Sequence, residues 1–178
     1  MTYQEIKENK EVQAYYEKGI VSGVGNGNFE PGRTIKREEF AKLLCEAFGY
    51  EQSNNKCHFE DVLPGSWCEK YVMTAYDMGV VNGMSDTFFG TGQNITRQDM
   101  VTMIYRALAE SDIEFSKTNE DFKDFYDVSE YAKEAVGKLS AEGIVNGVGN
   151  GEFSPKTNAT RAEAAVIIAR VTERFLEQ

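Results

Sequence analysis

Three arginines stand at equivalent points of the chain: Arg37, Arg97 and Arg161. Each follows the first glycine of a Gly-Ile/Val-Val-x-Gly run by 18 residues, from Gly19 to Arg37, Gly79 to Arg97 and Gly143 to Arg161. The residues around them read as helix starts. Thr96-Arg97-Gln98-Asp99 and Thr160-Arg161-Ala162-Glu163 place a hydroxyl at the N-cap and a carboxylate three residues on, a capping box or its Asp variant. In the first copy Lys36 takes the threonine's place, although Glu39 keeps the carboxylate. Each arginine therefore falls in a first helical turn, where a cation opposes the helix dipole. A residue repeated three times in a locally unfavourable place is wanted for its charge. The structural alternative to a ligand is a salt bridge to a neighbouring repeat.

The elements that must position these arginines repeat with them. Phe29, Phe89 and Phe153 keep step, and the copies are shifted by 60 and then 64 residues. That register makes the fold an assembly of three units. After each arginine an apolar stripe recurs at i, i+3, i+4 and i+7: Phe40, Leu43, Leu44 and Ala47, then Met100, Met103, Ile104 and Ala107, then Ala164, Ile167, Ile168 and Val171. These are one-faced amphipathic helices. Before each Gly-Ile/Val-Val run lies a second helical stretch, with Val12, Tyr15 and Tyr16, then Val72, Ala75 and Tyr76, then Val136 and Leu139. Gly19, Gly79 and Gly143 fit the left-handed residue that closes such a helix. Val12, Val72 and Val136 share a register and are expected to face a common axis. The polar stretches 51–56 and 110–120 read as surface connections.

The units differ at their openings. Repeat two begins Phe59-Glu60-Asp61-Val62 with Trp67 six residues after the aspartate, and repeat three begins Phe122-Lys123-Asp124 with Tyr131 in the aromatic slot. Repeat one has no such opening, being truncated or diverged there. Gly25, Gly27, Gly149 and Gly151 would let backbone approach a ligand closely, or serve only loop conformations with positive φ. Ser85 and Thr87 stand in the second loop instead.

Composition sets the outer limits. The chain has 178 residues, is 41% hydrophobic and carries a formal charge of −10. It can bury a real core as one repeat-built domain. The acidic balance argues against nucleic acid as the main partner. The lack of a long apolar run argues against membrane insertion, and no export leader is expected within this chain. Cys45, Cys57 and Cys68 form no metal pattern and are expected as reduced buried or half-buried thiols, with a Cys57–Cys68 pair left open for an exported chain. The single histidine, His58, has no second histidine for a zinc or triad role. There is no nucleophile–base pair, no phosphate-binding loop and no EF-hand pattern, so neither an enzyme nor a cofactor or metal is expected.

Taken together, Phe-x-Asp, the aromatic slot, Gly-Ile/Val-Val-x-Gly, the Gly/Asn loop with its phenylalanine, and Thr-Arg-x-Glu/Asp resemble the S-layer homology module. The resemblance covers about residues 1–50, 57–110 and 121–178, is closest in repeat three and weakest in repeat one. It implies a mainly α fold over 1–178, with three helix–loop–helix repeats in a pseudo-threefold spindle. It further implies a cell-wall anchor, outside the cell, that binds secondary cell wall polysaccharide in grooves between repeats. The bound sugar is typically a pyruvylated N-acetylmannosamine, and a linked cargo domain is expected outside this chain.

Carried over residue by residue, the family's arginine falls on Arg97, Arg161 and, less securely, Arg37. Its opening aspartate falls on Asp61 and Asp124, and its tryptophan on Trp67 with Tyr131 as a weaker counterpart. The chemistry is consistent with that transfer. A pyruvate ketal carries a carboxylate, and arginine offers it a planar fork of donors beside the unpaired N–H groups of a helix start. Trp67 would cover a sugar face, Asp61 and Asp124 would accept from hydroxyls, and Gly27 and Gly151 would let backbone approach. The best site is expected where repeats two and three meet, with Arg37 mattering least. Because an exposed first-turn arginine gains nothing from the dipole, replacing Arg97 or Arg161 is expected to change stability little. The alternative is the same fold used for protein–protein contact or S-layer assembly without glycan.

Overall fold

The computed structural model describes residues 30–111 and 113–176. The first helical stretch of repeat one, with Val12, Tyr15, Tyr16 and Gly19, lies outside the described residues, as do Gly25, Gly27 and Phe29. Within them the chain is mainly helical: α1 (Arg37–Phe48), α2 (Glu69–Asp77), α3 (Arg97–Ala109), α4 (Glu130–Ala141) and α5 (Arg161–Val171). A 3₁₀ turn at Phe125–Asp127 precedes α4, and a π turn at Thr172–Leu176 follows α5. Among the described residues there is no strand, only isolated β-bridges.

The helices form where the apolar spacing predicts them. Phe40, Leu44, Met100, Met103, Ile104, Ala107, Ala164, Ile167, Ile168 and Val171 are buried, as are Val72, Ala75, Val136 and Leu139. Tyr76, expected on the same stripe, is exposed. Gly79 and Gly143 take φ of 68° and 71°, the left-handed conformation that ends the helices before them. At the starts of the second helices, Thr160 and Glu163 form a full capping box, with N–H to carboxylate at 2.7 Å and N–H to hydroxyl at 3.2 Å. Thr96 keeps only the hydroxyl half, because the shorter Asp99 accepts from the Thr96 hydroxyl at 2.7 Å. Lys36 keeps the other half, donating its N–H to Glu39 at 2.9 Å.

Packing runs across the repeats. The second helix of one repeat packs against the first helix of the next, α1 on α2 and α3 on α4. One apolar cluster contains Phe40, Val72, Ile104, Val136 and Ile168. A single helix–loop–helix unit cannot cover its own apolar stripe, so each depends on its neighbour.

Backbone hydrogen bonds close the arrangement. Ile95 N–H donates to Ile35 C=O at 3.0 Å, Ile35 N–H to Ala159 C=O at 3.0 Å, and Ala159 N–H to Ile95 C=O at 2.9 Å. Three residues from three repeats thus form a complete cycle, each fully buried. A second cycle follows from the arginine amides. Arg37 N–H reaches Gln93 C=O, Arg97 N–H reaches Thr157 C=O and Arg161 N–H reaches Arg33 C=O, all at 2.9–3.0 Å. These amides are orphan donors of helix first turns, and loops of neighbouring repeats satisfy them.

Removing the side chain at the centre of the cycle tests this coupling. Ile95→Ala should cost about 2–4 kcal/mol, as for other buried isoleucine truncations. Amide exchange should quicken in α1 and α5 as well as in α3. Loss of protection in α3 alone would show that the repeats are independent.

Candidate functional site

The arginines do not project into solvent. Arg37 is 7% exposed and Arg97 only 5%. Arg37 donates through Nε to the Phe89 carbonyl at 3.0 Å and lies over the Phe89 ring at 5.2 Å, with Nη1 3.7 Å from Asp99. Arg97 repeats this one unit on. Its Nε donates to the Phe153 carbonyl at 2.8 Å, its guanidinium lies 5.0 Å from the Phe153 ring, and Nη2 donates to the Asn146 carbonyl at 3.1 Å. Its Nη1 pairs closely with Glu163. Each guanidinium therefore joins its own repeat to the loop of the next.

Burial pulls the Arg37 guanidinium below its ordinary pKa, and the Asp99 charge works against that. Arg161 is half-buried and is lowered likewise, by burial first and then by Arg33, while Glu39 and Glu30 act in the opposite sense. The exposed side chain on which the small stability effect was expected is not found at Arg97, nor at Arg37. Their charge satisfies buried carbonyls and a carboxylate of the neighbouring repeat.

The opening aspartates have a task in the fold as well. Asp61 accepts from the N–H groups of Phe89, Gly90 and Thr91 at 2.8, 2.7 and 2.6 Å. Asp124 accepts from Phe153 and Ser154 at 2.8 and 2.7 Å. Both carboxylates clamp the loop whose carbonyl receives an arginine, and so set that carbonyl's position. Burial alone would push the Asp61 carboxyl upward, but its N–H donors outweigh this and hold it below the usual carboxylate range.

The same loops need glycine at Gly83 and Gly147. An added Cβ would sit 2.2 Å from the Ser85 carbonyl oxygen or 2.5 Å from that of Glu152. Gly151 has φ of 79°.

Two matching grooves lie beside the buried arginines. The first, about 430 Å³, is lined by Arg37, Asn82, Met84, Asp99, Arg106 and Tyr131 among others. The second, about 350 Å³, has Arg97, Asn146, Val148, Glu163 and Arg170 at the corresponding positions. Tyr131, 56% exposed, belongs to the Arg37 groove. Its hydroxyl donates to Asp99 at 2.6 Å and accepts from Gln98 at 3.0 Å. Its pKa is pushed up to about 12, by burial first and then by the Asp99 bond.

Trp67 is 53% exposed just ahead of α2 and lines neither groove. Neither Trp67 nor Tyr131 lines the groove beside Arg97. The loop that would wall a groove beside Arg161, residues 22–24, lies outside the described residues. Sequence reasoning passed over Asn82, Asn146, Arg106 and Arg170. The available signal was spacing, since Arg106 and Arg170 each follow a first-turn arginine by nine residues.

Cys45, Cys57 and Cys68 are free thiols. No described helix is long and apolar enough to cross a membrane.

Two variants check these roles. Arg97→Ala should lower stability by about 3 kcal/mol in urea unfolding, because it strands two carbonyls and a partly buried carboxylate of the neighbouring repeat. A loss below about 0.5 kcal/mol, the size of an ordinary surface change, would show the pair to be dispensable. For Asp61 the folded-state pKa lies below the unfolded value of about 3.9. Its stabilisation is therefore present above that value and disappears as pH falls through the folded pKa. Asp61→Asn should be less stable than the native chain at neutral pH, with the gap closing below about pH 4. A gap independent of pH would show that the carboxylate charge is not what holds the loop.

The S-layer homology domain family matches residues 4–41, 58–101 and 121–165, one segment in each repeat. Among curated relatives, an amylopullulanase of Thermoanaerobacterium thermosulfurigenes is 32% identical over 179 residues, covering 97% of this chain and 10% of its own length. The surface-layer 125 kDa protein of Lysinibacillus sphaericus is 27% identical over 165 residues, 91% of this chain and 14% of its own. The S-layer protein sap of Bacillus anthracis is 29% identical over 160 residues, 89% and 19%. This chain thus spans between a tenth and a fifth of the length of these relatives. With a matched segment in every repeat, the chain belongs to the S-layer homology domain family, whose members are cell-wall anchoring modules of the cell surface.

Proposed function

We propose that this domain holds a larger exported protein on the cell wall by binding secondary cell wall polysaccharide non-covalently. The recognised unit is a pyruvylated N-acetylmannosamine whose ketal carboxylate enters a groove between repeats. The observation that carries this reading is the Arg37 groove. There a guanidinium whose Nη2 has no partner among the described residues shares one cavity with the exposed aromatic face of Tyr131 and the amide of Asn82. A carboxylate suits the guanidinium, and a sugar ring presents an apolar face to Tyr131 and Met84 and hydroxyls to Asn82.

The Arg97 groove is less well equipped. All three guanidinium nitrogens there already hold protein acceptors, and among the described residues no aromatic ring lines it. We therefore place the principal site at the Arg37 groove, in contrast to the ranking that motif completeness alone gave. Asp61 supports this site by fixing loop shape, and Asp124 and Gly151 do the same for the loop beside Arg97. Trp67 stays available to a groove bordered by Arg161.

Isothermal titration with wall polymer before and after removal of its pyruvyl groups tests the reading without altering the protein. Affinity should fall by about tenfold to a hundredfold, the worth of hydrogen bonds to one charged group. Equal affinity for both polymers sinks it. Binding to S-layer protein but not to either polymer would favour the protein-contact alternative.

A further inference from the structure

The groove that contains Arg37 also contains a second guanidinium, and the two differ in what they already hold. Arg37 is opposed by Asp99 at 3.7 Å and held by the Phe89 carbonyl. The Asp99 carboxylate in turn accepts from the hydroxyls of Thr96 and Tyr131. One positive and one negative charge therefore cancel inside the groove. Arg106, two turns further along α3, lines the same cavity, and among the described residues its guanidinium has no hydrogen-bond or ion-pair partner. It supplies the charge left over after that cancellation. In a chain of net charge −10, a groove with one surplus cation stands out as a place for an anion.

The other repeats vary this position. Arg97 pairs with Glu163 in the second groove, and Arg170 again leaves a surplus cation, but one of its nitrogens donates to the Ile144 carbonyl at 3.2 Å. On α1 the corresponding residue is Glu46, which accepts from the Tyr71 hydroxyl at 3.3 Å and lies 3.6 Å from Lys42. The helix that would border a groove beside Arg161 thus carries a carboxylate where the other two carry a guanidinium.

We propose that Arg106 supplies the net charge that selects a carboxylate-bearing sugar in the Arg37 groove, beside the Nη2 donor of Arg37, whose own charge Asp99 offsets. Arg170 gives the second groove the same selectivity in weaker form, and the α1 helix withholds it from any groove it borders. This rests on the glycan-binding reading above and assigns its charge recognition to a helix position outside the Thr-Arg-x-Glu motif.

The test uses the whole domain with the variants Arg106→Gln, Arg106→Lys and Arg106→Glu, titrated with pyruvylated and pyruvyl-free wall polymer. Arg106→Gln should weaken binding of the pyruvylated polymer by about tenfold or more, the value of a lost charge-assisted hydrogen bond. Its binding of the pyruvyl-free polymer should not change. Arg106→Lys should stay within about threefold of the native chain, since the charge is kept and only the fork is lost. Arg106→Glu, which copies α1, should abolish the preference altogether. Thermal unfolding of all three should match the native chain, because no protein group depends on the side chain.

The inference is overturned if Arg106→Gln keeps the native preference, or if it weakens both polymers equally. A native chain that shows no preference between the polymers overturns the reading and the inference together. A native preference that survives in Arg106→Gln removes the inference alone.

Discussion

Everything in this domain depends on a cycle of backbone hydrogen bonds that no single repeat can make. Ile35, Ile95 and Ala159 each donate to one neighbour and accept from the other. Their side chains are wholly buried, so water cannot replace a missing partner. The cycle sets the spacing of the three helix starts, and the second set of bonds, from the arginine amides, fixes their orientation. An anchoring module of the cell wall must hold its contacts in register, and a rigid centre of this kind provides that.

The buried arginines extend the same logic to side chains. A guanidinium with five donors can satisfy a loop carbonyl, face a ring and meet a carboxylate at once. Arg97 does all three across the joint between repeats two and three. At the preceding joint a shorter acid, Asp99, stands off at 3.7 Å and turns to Tyr131 instead. One methylene less in a capping residue therefore separates a groove filled by its own ion pair from one with donors to offer.

Much of the local structure was legible in the sequence. The apolar stripes gave α1, α3 and α5, the threonine-to-acid spacing gave two of the helix starts, and Gly79 and Gly143 adopted the backbone conformation expected of them. What stayed hidden lies between repeats. Nothing in the spacing from Arg37 to Phe89 says that a carbonyl 52 positions away will receive its Nε. Nor does it say that α3 packs on α4 of the next repeat rather than on α2 of its own. Asp61 entered the site through the family resemblance, and the sequence held no sign that its oxygens accept from three loop amides. Pattern reading sees periodicity along the chain and is blind to partners set by closure.

Closure has a further consequence. Each joint is head-to-tail, one repeat offering its helix start and the next offering its loop, and the joint from repeat three back to repeat one uses the same groups. A head-to-tail interface that closes on itself leaves neither half exposed, whereas one that fails to close polymerises. A chain that lost one repeat would present an unsatisfied helix start on one side and an unsatisfied loop on the other. The third repeat is what lets one chain satisfy all of its own helix starts and loops.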